Sequence, residues 1–92
     1  MDYELPLLRA LVKLGGEGAT SKVTDEVGRL LANRLNAADK ATLRSGDVRW
    51  RNRTAFARLN LVKRGEMDGS TPRGIWAITA QGRDRVREAE PA

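Results

Sequence analysis

Basic side chains are concentrated between positions 44 and 64, where Asp47 is the only acid. Elsewhere in the chain acidic and basic residues are mixed, so the excess charge belongs to this segment. The planar guanidinium of arginine suits phosphate oxygens and guanine edges, and a local basic stripe is typical of a nucleic-acid interface. A GC-rich genome also raises the Arg:Lys ratio, but it does not explain where the basic residues lie. They are Arg44, Arg49, Arg51, Arg53, Arg58, Lys63 and Arg64.

The composition of the 92 residues excludes several kinds of chemistry. There is no cysteine and no histidine, which excludes disulfides, thiolate zinc sites and serine–histidine triads. The nearest carboxylate pairs, Asp25-Glu26 and Glu88/Glu90, either point in different directions or lie at a terminus. We therefore expect no enzyme activity, no metal and no cofactor. The formal net charge of +5 favours a polyanionic partner.

Apolar spacing and turn residues predict an α+β domain of the winged helix-turn-helix class, spanning 1–92 as a single unit. Gly15-Gly16 is predicted to end the first helix and Gly65 the basic helix, and Thr20 and Thr79 are the predicted N-caps of the second and last helices. The order matches a winged helix, in which the third helix enters the major groove and the hairpin lies against the neighbouring backbone or minor groove. The predicted helices cover 4–14, 20 to 33–36, 49–64 and 80–89, with a short extended connector at 16–19, a turn or short helix at 36–43, and a hairpin joining 67–68 to 74–78.

The third helix has a core side and a polar side. At about 100° per residue, Trp50, Thr54, Ala57 and Leu61 fall on one apolar line, with Ala55, Leu59 and Val62 continuing round one side. Arg51 and Arg58 lie at the edge of this core side. The remaining arc is the predicted DNA-binding face, and Arg73 at the hairpin turn is added to it. Its members are Arg49, Asn52, Arg53, Phe56, Asn60, Lys63, Arg64 and Arg73.

Each type of residue on this face suits a particular contact. Asn52 and Arg53, at the start of the helix, can form paired hydrogen bonds with base edges, whereas Lys63 and Arg64 suit phosphates. Phe56 has two interpretations. It packs against the first helix or a second subunit, or it contacts the 5-methyl group of thymine or methylated cytosine.

Two stretches resemble the N-terminal winged-helix domain of Mrr-type restriction proteins: Trp50-Arg51-Asn52-Arg53, which starts the third helix, and the run RGIWAITAQGR at 73–83. The similarity extends from Leu5 to Arg83. The resemblance implies a DNA-binding module that, in full-length relatives, directs an endonuclease to DNA with modified bases. The nuclease domain, with its Asp and Glu-x-Lys metal site, is absent here, which implies binding without cleavage.

The expected partner is therefore double-stranded DNA, carrying 5-methylcytosine or N6-methyladenine if the resemblance extends to specificity. No membrane partner is expected, and the predicted location is the cytoplasm, at the nucleoid. A sequence-specific regulator and a domain that binds an acidic protein remain alternatives. The sparse last helix is either a frayed end or a homodimer contact through Val86 and Ala89.

Overall fold

Four helices and two short strands make up the fold, which the computed structural model describes over residues 1–90. In chain order they are α1 (Glu4–Lys13), β1 (Glu17–Ala19), α2 (Thr20–Leu30), α3 (Arg49–Lys63), β2 (Ile75–Ala77) and α4 (Ala80–Ala89). This α+β arrangement is compatible with the predicted winged helix-turn-helix, and the predicted fold class is confirmed.

The apolar side of α1 lies at the centre of the core. Leu7, Leu8 and Leu11 are fully buried, and α1 packs against α2, α3, α4 and β1. The helix ends where Gly15 adopts a left-handed conformation (φ +90°), which residues with a Cβ rarely adopt. Gly16 then donates its N–H to the carbonyl oxygen of Leu11 at 2.7 Å. The predicted glycine stop of the first helix is thus confirmed.

The sheet differs in detail from the predicted hairpin. β1, expected as a short connector, pairs antiparallel with β2, and Gly18 lies opposite Trp76. The first arm of the hairpin forms only an isolated bridge, between Met67 and Ile78. The chain turns away directly after this bridge, because the Asp68 carboxylate accepts hydrogen bonds from the backbone N–H and hydroxyl of Ser70.

The boundaries of α2 also differ from the prediction. Thr20 is the first helical residue rather than the N-cap, and its N–H donates to the carbonyl of Gly74 at 2.9 Å, which ties α2 to the hairpin. The helix ends at Leu30, before the predicted 33–36, and 31–34 form a turn. The next segment is a turn too, in which Asn36 and Asp39 exchange side-chain hydrogen bonds.

The basic helix α3 has almost the predicted bounds. It begins at Arg49, whose N–H donates to the Ala41 carbonyl, while the N–H of Trp50 donates to the Asp39 carbonyl; both distances are 2.9 Å. Backbone carbonyls of the preceding turn therefore bond N–H groups at the start of the helix, where no side chain caps it. At the other end Gly65 adopts φ +76°, as a C-terminal glycine does.

The last helix is packed onto the domain. Thr79 is its N-cap, as predicted, and accepts the N–H of Gly82 at 3.1 Å. Val86 is buried and α4 packs against α1, so the helix is not a frayed end. The alternative was a homodimer contact through Val86 and Ala89, and Val86 does not offer one because its side chain is covered by its own chain. Ala89 is exposed.

Ion pairs fasten α4 to the start of α1. Arg85 Nη1 lies 3.0 Å from Glu4 Oε1 and 2.7 Å from Oε1 of the buried Glu66. Burial acts to lower the pKa of Arg85, but hydrogen bonds to Glu66 and Glu4 outweigh it and raise that pKa. The guanidinium therefore stays charged and holds three segments together.

Tyr3, directly before α1, buries a hydroxyl that has no hydrogen-bond partner. The residue is 7% exposed, and an unpaired buried polar group costs about 1–3 kcal/mol. Burial is the largest cause that raises the pKa of Tyr3, and Asp39 adds to it. Arg53 and Arg49 act in the opposite direction, and the net shift is upward.

Gly82→Ala should destabilise the domain by about 1–3 kcal/mol, although alanine is normally better in a helix by about 1 kcal/mol. A Cβ at this position would overlap the carbonyl oxygen of Glu66 and lie 2.7 Å from Ile78 Cγ1. The measurement is urea unfolding. Gly18→Ala is the matched control, because its Cβ would meet the nearest atom at 3.4 Å. An equal or greater stability of Gly82→Ala would contradict the close approach.

Tyr3→Phe should leave the free energy of unfolding at pH 7 unchanged or slightly higher, because it removes a hydroxyl without a partner. The pH dependence should change as well. Since the folded pKa is raised, the unfolded chain loses the phenol proton first, and the wild type loses stability as the pH rises through about 10 and above.

Unfolding curves of both proteins between pH 7 and pH 11 test this expectation. The wild type should decline more steeply than Tyr3→Phe in the alkaline range, while the lysines contribute equally to both. Parallel declines would show that the phenol does not titrate differently on folding.

Candidate nucleic-acid interface

The buried side of α3 agrees with the predicted core line. Thr54, Ala57 and Leu61 are buried, and the hydroxyl of Thr54 bonds the carbonyl of Trp50 within the helix. The expected extension of the core through Ala55 and Leu59 is wrong. Both residues are exposed, because α3 packs on α1 and α2 along a narrower strip than the helical arithmetic suggested.

Apolar side chains therefore lie in the middle of the exposed side of α3. Phe56 is 60% exposed and Leu59 is 48% exposed, so the interpretation that α1 covers Phe56 is wrong. Both side chains line a groove of about 290 Å³ that reaches the Trp76 ring, with Asn52 and Ala55 at its sides. The structure thus presents an apolar strip, comprising Ala55, Phe56 and Leu59, between polar groups.

Arg49, Asn52, Arg53 and Asn60 lie on the α1 side of this strip. Together with Phe56 and the residues that precede and start α1, they line a larger groove of about 480 Å³. Arg49 is half-buried, and its Nε–H has no hydrogen-bond partner. Four of the predicted residues of α3 are thereby brought to one groove, together with Phe56.

The two cations at the end of α3 have different surroundings. Lys63 is exposed and has no carboxylate within 4.0 Å among residues 1–90. Arg64 instead contacts Glu4 at 3.2 Å and Glu66 at 3.7 Å. Of the two expected phosphate ligands, only Lys63 has a charge that is not already paired within the described chain.

Arg51 and Arg58 lie at the edge of the core side, as predicted. Arg51 contacts Asp25 at 2.5 Å, and its guanidinium carbon lies 4.8 Å from the centre of the Trp50 ring. Arg58 lies 5.9 Å from the centre of the Trp76 ring. Such contacts over an aromatic face are favourable for cations and hold both side chains in place.

The hairpin places Arg73 at an exposed turn. Ile75 N–H donates to the Pro72 carbonyl at 3.0 Å, and Gly74 adopts φ +87°, which shapes the turn. At the preceding bend, hydrogen bonds from the Ser70 hydroxyl and then its N–H hold the pKa of the Asp68 carboxyl below its usual value. Within the described residues no carboxylate lies within 4.0 Å of Arg73, so its charge faces solvent.

Sequence reasoning missed the start of α2. Thr20, Ser21 and Thr24 line a groove of about 400 Å³ together with Arg51, Asn52 and Ala55 of α3. The N-terminus of a helix offers free backbone N–H groups, which favour phosphate. Two hydroxyl residues at a predicted helix start, Thr20 and Ser21, are the signal that could have indicated this position.

Two kinds of feature are absent from residues 1–90. No group of three or more acidic residues there is arranged to hold a metal ion. None of the helices in the described part of the chain is both long and apolar enough to cross a membrane.

Comparison with known proteins gives one match. No curated protein and no solved structure matches the chain. The model of the family described as Mrr N-terminal domain matches residues 2–88, which include every element of the sheet, all of α1 to α3 and most of α4. The match covers nearly the whole chain and agrees with the resemblance at 50–53 and 73–83. On this evidence, the protein belongs to the Mrr N-terminal domain family.

Proposed function

We propose that this domain binds double-stranded DNA without cleaving it, with α3 in the major groove and the hairpin turn against the backbone. The observation that carries the proposal is the set of unpaired cations around the exposed side of α3. No carboxylate of residues 1–90 lies within 4.0 Å of Arg49, Arg53 or Lys63. Membership of the Mrr N-terminal domain family is consistent with a DNA-binding role.

The dimensions of α3 fit this placement. An α-helix with its side chains is about 10–12 Å across, and the major groove of DNA is about 12 Å wide. With 15 residues α3 is about 22 Å long, so both ends can reach the sugar–phosphate backbone while the middle faces base pairs. The N–H of Thr20 is bonded to Gly74, but the next N–H groups at the start of α2, those of Ser21 and Lys22, supply a further phosphate contact.

The apolar strip on α3 supports a preference for methylated DNA. A side chain in the middle of a helix in the major groove faces base edges, where apolar groups contact pyrimidine methyl groups. Phe56 and Leu59 are exposed at this point and would bury apolar surface against an added methyl. The modified base is 5-methylcytosine or N6-methyladenine, both of which carry their methyl group in the major groove.

Lys63→Ala should weaken binding to every duplex by a similar factor and reduce the salt slope of the binding constant by about one. Lys63 is the last residue of α3 and has no ion pair in the described chain. Fluorescence anisotropy across a salt series measures both quantities. The matched control is Lys13→Ala, the last residue of α1, whose amine lies 3.0 Å from Glu26. Equal effects of the two substitutions would contradict the assigned face.

The wild type should bind one methylated duplex pool at least about tenfold more tightly than the unmethylated pool, which corresponds to about 1.4 kcal/mol. Phe56→Ala should remove most of this preference because it removes the apolar contact. Leu30→Ala, which truncates an exposed leucine on α2, is the control and should keep the preference.

Three pools of one duplex sequence set, unmethylated, cytosine-methylated and adenine-methylated, provide the comparison at near-physiological salt. Equal affinities for all three would contradict methyl recognition and favour a sequence-specific regulator. If bulk DNA displaces every labelled duplex completely and no duplex is preferred, the result would favour an acidic protein as the partner.

A further inference from the structure

We propose that Tyr3, Arg49 and Arg53 form a phosphate-binding pocket between the start of α1 and the start of α3. This inference extends the proposed function, because the phosphate it fits best is one in the backbone of bound DNA. It also changes one expectation from the sequence, since Arg53 then holds the backbone rather than a base edge.

The buried side chain of Tyr3 forms the floor of the pocket. The Tyr3 ring belongs to the core cluster and the residue is 7% exposed, yet its hydroxyl oxygen is buried without any hydrogen-bond partner. Tyr3, Arg49 and Arg53 line a cavity of about 250 Å³. The same three residues also line the 480 Å³ groove along α3, so the cavity opens towards the proposed DNA-binding face.

The groups in this cavity need an acceptor. Arg49 Nε is a second buried atom without a partner, and a guanidinium can only donate hydrogen bonds. Arg53 adds further N–H donors at the rim. A phosphate oxygen accepts several hydrogen bonds and carries negative charge, and arginine and tyrosine are both common phosphate contacts.

The acids nearby already have partners. Asp39 lines the cavity, but its Oδ2 accepts the N–H of Asn36 at 3.0 Å. Asp2 accepts the N–H of Glu4 at 2.8 Å, and the Glu4 carboxylate is paired with Arg85. By contrast, no carboxylate of residues 1–90 lies within 4.0 Å of the Arg49 or Arg53 guanidinium. The cavity lining thus carries the two guanidinium groups against the single carboxylate of Asp39, which leaves it with a net positive charge.

This pocket divides the exposed side of α3 into two parts. On the α1 side, a backbone phosphate seated on Tyr3 and the two arginines fixes the position of the helix in the groove. Asn52, Phe56 and Leu59 then face the base edges. Contacts to phosphate position a protein on DNA, while contacts to bases determine which sequence it prefers.

The central variant is Tyr3→Phe, which removes the hydroxyl and keeps the ring in the core. Its affinity for unmethylated and for methylated duplexes should fall by the same factor, about fivefold. The salt slope of the binding constant should not change, because the lost hydroxyl is uncharged. Arg49→Ala and Arg53→Ala should each weaken every duplex alike and lower the salt slope by about one. Arg9→Ala, which removes an exposed cation of α1, is the control. It should change the affinity and the salt slope less than Arg49→Ala or Arg53→Ala does.

A second arm uses inorganic phosphate alone. Backbone amide NMR shifts of wild type and Tyr3→Phe are followed during the titration, and urea unfolding confirms that each variant is folded. If phosphate shifts the amide signals of residues 3 and 49–53 in the wild type, and shifts them less in Tyr3→Phe, the pocket also binds free phosphate. A duplex effect without this response assigns the pocket to the DNA backbone only.

The two arms separate the failure of this inference from the failure of the proposed function. If the wild type binds no duplex but the phosphate response depends on Tyr3, DNA binding is wrong and the pocket stands. If duplex binding is intact in Tyr3→Phe and no phosphate response depends on Tyr3, the pocket is overturned. A loss confined to one duplex sequence in Arg53→Ala would return Arg53 to base reading.

Discussion

Burial of the leucine side of α1 is the contact on which the rest of the domain depends. Leu7, Leu8 and Leu11 are fully buried, and every other helix packs against α1. Burying a leucine side chain stabilises a fold by about 1.5–3 kcal/mol. Because Ala57 and Leu61 of α3 belong to the same core, the rotation of α3 about its axis is fixed. The side of α3 that faces solvent is a consequence of this packing.

The domain uses part of its charge to hold itself together. Arg85 connects Glu4 with the buried Glu66, and Arg64 joins the same carboxylates from the end of α3. Gly82 allows the backbone of α4 to approach Glu66 closely enough for this arrangement. The paired cations are therefore less available to a partner, whereas Arg49, Arg53, Lys63 and Arg73 of the predicted face have no ion pair within residues 1–90.

Under the proposed function, the interface would have separate regions for affinity and specificity. Cations at its borders suit the phosphates, which supply affinity that depends on salt. Phe56 and Leu59 lie between them, where a methyl group on a base edge would be buried. A DNA-binding domain needs both, because phosphate contacts carry no sequence information by themselves.

Features that depend on neighbouring residues were predictable from the sequence. The glycine stops at Gly15 and Gly65, the Thr79 cap, the bounds of α3 to within one residue and the buried line through Thr54 and Leu61 all follow from local spacing and backbone conformation. The cations of the predicted face all stayed exposed or half-buried at the surface, although Arg64 is paired with Glu4 and Glu66.

Features that join distant parts of the chain were decided only by the tertiary structure. β1 pairs with β2 across more than fifty residues, and Arg64 meets Glu4 sixty positions away. The exposure of Leu59 depends on how far α1 and α2 extend around α3, which helical periodicity does not contain. The same applies to Tyr3, which lines one cavity with Arg49 only because α1 and α3 pack together. Periodicity describes one helix at a time, whereas a site forms where side chains from several elements meet.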